Sequence, residues 1–319
     1  MINTVRGSIS TKELGRTFCH EHFVFGFPGY SGDLTLGRLN TEKIIQTGVE
    51  KAKCLLKNNI TTVIDCTPND CGRMPDILRE ISIQTGLNII CVTGFYNEES
   101  GAPSYFKNRR NFSDIEKEIF EMFVEEINNG IEGTGIKPGV IKVASSMDCI
   151  TEYEKNFFRA AAKAQRETGT IIITHTTDGT MALEQAKLLI DEGARPEKII
   201  IGHVCTISDI GCLIELLDMG VYIGFDRFGY NRDEKCNDIT RVALIVGLMG
   251  IGYNNKILVS HDMLYSKLGR DRAPIALQKS STNPVHFVEN IIPKLKHAQI
   301  SSAQIEKLLI ENVADVFGN

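Results

Sequence analysis

Short runs of Val, Ile and Leu recur along the chain, separated by longer stretches in which apolar residues return every third or fourth position. Continuous apolar runs mark strands buried on both faces of a parallel sheet, and the wider spacing marks amphipathic helices. The pattern predicts strands over 17–24, 61–66, 88–94, 139–144, 169–175, 198–203, 220–226 and 256–262. Between them it predicts helices over 41–57, 74–85, 113–129, 151–167, 180–192, 208–219 and 234–250. Asn40 or Thr41, Ser113 with Glu116, Thr151 with Glu154, and Ser208 are the expected helix N-caps. Regular alternation of eight strands with helices predicts an α/β fold, a parallel sheet closed into a (β/α)8 TIM barrel. No Gly-rich dinucleotide fingerprint follows the first strand, which disfavours an open doubly wound sheet. Two irregular stretches, 95–112 and 263–284, are expected to emerge as lids at the carboxyl ends of strands.

What sets these strands apart is how they end. Lys142 sits within the run from Gly139, His175 ends the run from Ile171, His203 follows the run from Ile199, and Asp262 closes the run from Ile257. The triplet His20-Glu21-His22 lies in the first strand, where alternation turns both imidazoles to one face and Glu21 to the other. Two imidazoles on one face either grip a metal or are satisfied core histidines. In a barrel the carboxyl ends of all strands meet at one mouth, so four imidazoles and the Asp262 carboxylate would converge there. His261 is turned away from the face that Asp262 uses, and His286 and His297 fall in the helical tail. Asp65 and Asp226 also end strands; for them a structural hydrogen-bonding role is expected. Lys142 needs separate chemistry, because an ammonium has no lone pair. Burial lowers an amine's pKa, and a neutral amine can take up carbon dioxide to give an anionic carbamate with two ligand oxygens.

Composition narrows the function further. A chain of 319 residues suits one large barrel or two ordinary domains. The net charge of −5 lacks the basic footprint that a phosphate backbone needs, so nucleic acid is excluded as a partner. Neither a signal-peptide layout at the start nor an apolar stretch of bilayer length is seen, and a soluble cytoplasmic protein without membrane contact is expected. Nine cysteines, an odd number without any C-x-x-C pair, read as free buried thiols of a reduced compartment. Cys19 and Cys205 lie beside proposed ligands, and Cys205 is not expected to be one.

Several of these segments resemble the phosphotriesterase family of the amidohydrolase superfamily, including its lactonases and phosphotriesterase-related proteins. They are the 14–22 segment through His20-Glu21-His22, Gly139-Val-Ile-Lys142-Val-Ala144, Thr174-His175-Thr176 with Gly179 to Gln185, Ile201-Gly202-His203, and Ser260-His261-Asp262. The likeness runs in order to the Asn312–Phe317 tail and implies one metal-dependent hydrolase domain over 1–319. It further implies a binuclear centre at the barrel mouth, most often zinc. His20 and His22 would hold the more buried ion and His175 and His203 the more exposed one. Carboxylated Lys142 would bridge them, and Asp262 would bind the buried ion and act as the catalytic proton carrier. A water shared by two divalent ions loses a proton near neutral pH and becomes the attacking hydroxide. The resemblance also implies a homodimer.

For substrate, Gly224-Phe-Asp-Arg227-Phe-Gly229 resembles the lactonase form of strand seven, and Gly94-Phe-Tyr96 the strand-three turn. Arg227 and Tyr96 are therefore the expected substrate-binding residues of a lactonase acting on a small ester. The 178–185 stretch resembles members that open sugar or phosphosugar lactones, for which Lys267, Arg270 and Arg272 would supply cations. A phosphotriesterase or carboxylesterase on the same centre is the alternative, and a non-catalytic binding barrel the more distant one. With no tryptophan and a lid of Met263-Leu-Tyr-Ser-Lys-Leu-Gly-Arg270, high organophosphatase activity is not expected.

Overall fold

In the computed structural model, which describes residues 1–233, 236–270 and 281–318, every predicted strand is present. The order is β1 (Ile2–Thr4), β2 (Gly7–Ile9), β3 (Arg16–Phe25), α1 (Thr41–Lys57), β4 (Ile60–Asp65), α2 (Pro75–Thr85), β5 (Asn88–Gly94), α3 (Ser104–Arg109) and α4 (Ile115–Asn129). It continues with β6 (Val140–Ala144), α5 (Glu152–Thr168), β7 (Ile171–His175), α6 (Ala182–Asp191), β8 (Ile199–Ile201), α7 (Ile210–Asp218), β9 (Tyr222–Phe225), α8 (Asp238–Gly250), β10 (Ile257–Val259) and β11 (Leu264–Lys267). Helical turns from Phe287 to Gly318 complete it.

Strands β3 to β10 lie side by side in chain order, all parallel, and β11 pairs with β3 at the far edge. β10 and β11 therefore sit at opposite ends of the strand order although only Ser260–Met263 separates them. That link is itself bonded to β3: the Asp262 amide donates to the His20 carbonyl at 3.0 Å, and the His22 amide to that of Met263 at 3.0 Å. The result is a strongly curled parallel sheet.

Alternation along each strand divides the apolar residues between two cores. One face of the sheet carries Ile64, Ile90, Val92, Val140, Ile171, Ile173, Ile200, Tyr222 and Leu258, closed off by Ile2 from the amino terminus and Val313 and Val316 from the carboxyl terminus. The other carries Val63, Ile89, Ile141, Ile172, Ile201, Phe225 and Val259 against the helices, where α5 presents Phe157, Phe158, Ala161 and Ala164. In β3 the alternation is interrupted. The pairing with β4 shifts register between Phe18 and Glu21, so Phe18 joins the helix-side core while Cys19 joins the enclosed one. Such a bulge adds one residue and resets the faces beyond it. His20 and His22 then follow on the enclosed side of the curled sheet, with Glu21 on the other.

Several local expectations need correction. The α4 cap is Asp114, which accepts from the Lys117 amide, and the α7 cap is Asp209, which accepts from the Gly211 amide. Ser113 and Ser208 each lie one residue too early. α8 begins at Asp238, with Asn237 accepting from the Ile239 and Thr240 amides. The N-terminal hairpin β1–β2 went unpredicted because three-residue strands carry too few positions to show a period. Residues 264–267, taken as lid, are a strand, while 271–280 lie outside the described residues, as does Arg272.

Candidate metal centre

The strands deliver His20, His22, Lys142, His175 and Asp262 to the wall of one cavity of about 160 Å³, together with Arg227 and Tyr96. His203 stands just behind, its ring centroid 4.6 Å from those of both His20 and His175. All of the residues expected at the site therefore come together. Two larger cavities, of about 350 and 820 Å³, lie alongside, between the chain after β3 and residues 264–270, and none of the expected ligands lines them.

Three of the four imidazoles are held by their outer nitrogens. Asp226 accepts Nδ1–H of His20 at 3.0 Å and Nδ1–H of His203 at 2.9 Å, while the His203 amide donates to the same carboxylate. His22 Nδ1 lies 2.8 Å from Thr67 Oγ1, whose own hydroxyl donates to the Val24 carbonyl, so the ring must be the donor. These bonds fix the tautomers and leave Nε2 of all three rings as lone pairs, those of His20 and His22 on residues lining the cavity and that of His203 3.9 Å from Asp262 Oδ2. His203 Nε2 is buried with no hydrogen-bond partner among the described residues. His22 Nε2 lies 3.1 Å from Asp262 Oδ1, which places two acceptors against each other. A positive charge, a proton or a metal, must sit between them. An orphaned buried lone pair and an acceptor facing an acceptor are what ligand sets look like without their cation, so the residues fit a metal centre. The donor atoms of His20, His22 and Asp262 lie within 4.8 Å of one another, as do those of His20, His203 and Asp226. In the second group Asp226 uses the outer nitrogens and serves to aim the rings.

Lys142 is 1% exposed and its Nζ is 3.0 Å from His20 Nε2. Burial holds its pKa below that of an ordinary amine, and the nearby Arg227 adds to the effect. Gly94 makes room beside it, since a Cβ there would stand 1.9 Å from the Lys142 carbonyl oxygen. The chain then turns so that the Tyr96 amide donates to Asp70 and the Tyr96 hydroxyl lies 3.4 Å from His175 Nε2. Burial would raise the Asp262 carboxyl, but His203, the His22 contact and Arg227 outweigh it and hold it well below the usual range. Arg227 Nε donates to Asp262 Oδ2 at 3.0 Å.

Two of the expected ligands are strained. His203 (φ 61°) and Asp262 (φ 54°) adopt the left-handed backbone region, which costs a non-glycine residue about 1–2 kcal/mol. For His203, the Asp226 carboxylate on its amide offsets that cost.

The expected structural roles hold. Asp65 accepts from the Phe23 and Thr67 amides, and His261 is bonded to Glu21 and to the Phe287 amide outside the cavity. Cys205 is a thiol pushed up to about 11 by burial, 4.0 Å from Asp226. Asp226 does more than sequence reasoning gave it, because serving two rings at once depends on β8 lying beside β9 and on the curl of the sheet bringing His20 of β3 across to it. Thr67 was missed altogether; a hydroxyl two residues beyond a strand-end Asp is too common a pattern to single out. Arg270 is paired with Asp33 away from the site. No helix among the described residues is long and apolar enough to cross a membrane.

The phosphotriesterase family model matches residues 1–317. The chain belongs to that family. A phosphotriesterase homology protein of Mycobacterium tuberculosis is 30% identical over 99% of this chain and 97% of its own length. An aryldialkylphosphatase of Saccharolobus solfataricus is 33% identical over 81% of this chain and 79% of its own. Among solved structures, an engineered phosphotriesterase-like lactonase from Deinococcus radiodurans matches with a TM-score of 0.96 at 45% identity, covering the whole of both chains. Phosphotriesterase-family membership makes the chain a hydrolase acting on ester bonds.

The electrostatics of this family member predict an acid limit. Burial, with Lys142 and His203 nearby, depresses His20 from 6.5 to about 3, and burial also lowers His175 and His203. Each ring then binds its proton more readily in the unfolded chain, so stability rises with pH across this window and is lost as pH falls through it. In chelator-treated protein the urea midpoint should fall steadily from about pH 6.5 toward pH 3. A midpoint that stayed level from neutrality down to pH 4 would contradict the assignment of neutral imidazoles.

Proposed function

We propose that this phosphotriesterase-family chain is a lactonase with a binuclear metal centre, most simply zinc, at the mouth of a closed (β/α)8 barrel formed by one domain over 1–319. Closure is supported by the Asp262-to-His20 and His22-to-Met263 backbone bonds. The observation that carries the metal is the set of Nε2 lone pairs on His20, His22 and His203, all within 3.9 Å of the Asp262 carboxylate. Imidazoles with carboxylates suit zinc and leave it open positions for water and substrate.

His20, His22 and Asp262 would hold one ion, His175 and His203 the other. Lys142 would join this ligand set as a carbamate, its neutral Nζ forming a C–N bond to carbon dioxide with release of one proton, and would supply two anionic oxygens. When bound, the two ions polarise the ester carbonyl and acidify a water. Asp262 accepts the proton of that attacking water and returns it to the ring oxygen as the C–O bond breaks, so the product is a hydroxy acid. Arg227 holds the Asp262 carboxylate in position from the cavity floor. Phe25, Phe27, Tyr96 and Leu264 form the remaining wall and exclude water.

That wall supports one class of lactone over the other. It is apolar, and Lys267 and Arg270 line the neighbouring cavities instead, so an apolar lactone fits better than a phosphosugar lactone. Metal-loaded protein is expected to open γ- or δ-lactones with apolar side chains faster than it cleaves aryl phosphotriesters. Rapid phosphotriester cleavage with no turnover on any lactone would reverse the reading. The same proposal has the protein work as a cytoplasmic homodimer on a small-molecule ester.

A further inference from the structure

Glu21 lies between two proposed ligands, yet it turns away from the cavity and is fully buried. Its carboxylate is committed to one short piece of chain. Oε1 accepts from the His261 amide at 2.9 Å, from His261 Nδ1 at 2.8 Å and from the Ser260 hydroxyl at 2.8 Å. Oε2 accepts from the Met263 amide at 3.1 Å. The two amides it holds flank Asp262, which is the residue in the left-handed backbone region. The Asp262 amide is meanwhile bonded to the carbonyl of His20, the residue preceding Glu21.

We infer that Glu21 is a positioning residue that holds Asp262 in its strained conformation and so sets the distance between that carboxylate and the ligand pair His20 and His22. The inference rests on the reading of Asp262 as a metal ligand. Its physical basis is that a left-handed non-glycine residue persists only where its surroundings over-determine it. Amides on both sides of Asp262 bonded to one carboxylate provide that constraint. The arrangement repeats the one at His203, where Asp226 accepts the amide of the other left-handed ligand. One strand thus supplies both the ligands and the clamp that aligns the ligand from the opposite end of the strand order. His261 extends the brace: its Nδ1–H donates to Glu21 while Nε2 accepts the Phe287 amide at 2.9 Å, tying the clamp to the C-terminal helices.

Glu21→Gln tests this, because either orientation of the amide sets an NH2 group against at least one donor that the carboxylate now accepts. In metal-loaded protein the variant should show amide hydrogen exchange at 261–263 accelerated about tenfold or more. Cobalt should bind about 10–100-fold more weakly in a chelator competition, the range typical for loss of a group that orients a ligand. Lactone kcat should fall with KM changed little. A control of comparable stability loss on a helix that packs on α5 and β5, Ile127→Ala of α4, should leave all three readings at the wild-type level. If Glu21→Gln does not fold, Glu21→Asp, which withdraws the same charge by one methylene, carries the test. Wild-type cobalt affinity and exchange in the folded variant, or equal losses in the control, would overturn the inference. Wild-type protein inert toward every lactone would defeat the lactonase reading alone, since exchange and cobalt affinity still report on Glu21.

Discussion

Replacing Lys142 with Ala should drop bound metal from about two equivalents per chain to one or fewer, abolish turnover, and allow partial recovery of both by short carboxylates such as acetate. The expectation follows from where the amine sits. It is enclosed among His20, Cys66 and Asp262 with its ammonium form disfavoured, and a positive charge there would repel the very ions the histidines are aimed at. Only as a carbamate does the side chain contribute oxygens. Truncation to Ala leaves a space in which an exogenous carboxylate can present two oxygens in the same place, hence the rescue. Elemental analysis of wild type and variant, with and without acetate, makes the measurement. Two equivalents in wild type would also exclude a one-metal deaminase of the same superfamily. Unchanged metal content in Lys142→Ala would remove the bridge from the proposal.

Asp262→Asn should lower kcat by about 10²–10⁴-fold while metal content stays near that of the wild type. Asn is the sharpest probe available at this position. It tolerates the left-handed backbone that Asp262 adopts, so the substitution does not unseat the turn. Its carbonyl still faces the cavity as a ligand, but it cannot carry a proton between water and leaving group. A kcat within about tenfold of wild type would assign proton transfer to another group. Loss of both activity and metal would make Asp262 a ligand alone. A non-catalytic binding barrel would show no lactone or ester turnover even as wild type.

Legibility differed by the kind of signal each residue leaves. His175 and His203 were readable because each stands at or just past the end of an apolar run, where a parallel strand stops, and Lys142 because it is the one charged residue inside the apolar run of β6. The expected separation of Asp262 from His261 is found, with His261 outside the cavity, although β10 ends at Val259 and the two lie in the link beyond it, where Asp262 is left-handed. Other features left no such trace. The bulge between Phe18 and Glu21 is a matter of pairing between β3 and β4, and no residue in that stretch announces it. Thr67 acts through a bond to His22 from a chain segment 45 residues away. β11 was hidden because this half-buried strand lacks the apolar run that marked the others.

The periodicity of this chain by itself determined the eight-strand parallel order, the helices between, and which side chains gather around one cavity, because burial on both faces forces continuous apolar runs and alternation assigns each residue a face. Tertiary structure alone decided how those side chains are aimed. Asp226 gripping two rings, Glu21 holding both flanks of Asp262, and the left-handed backbones of His203 and Asp262 all arise from contacts between strands remote in sequence. Orientation is a property of partners, and a linear pattern records only which residues face inward, not what they meet there.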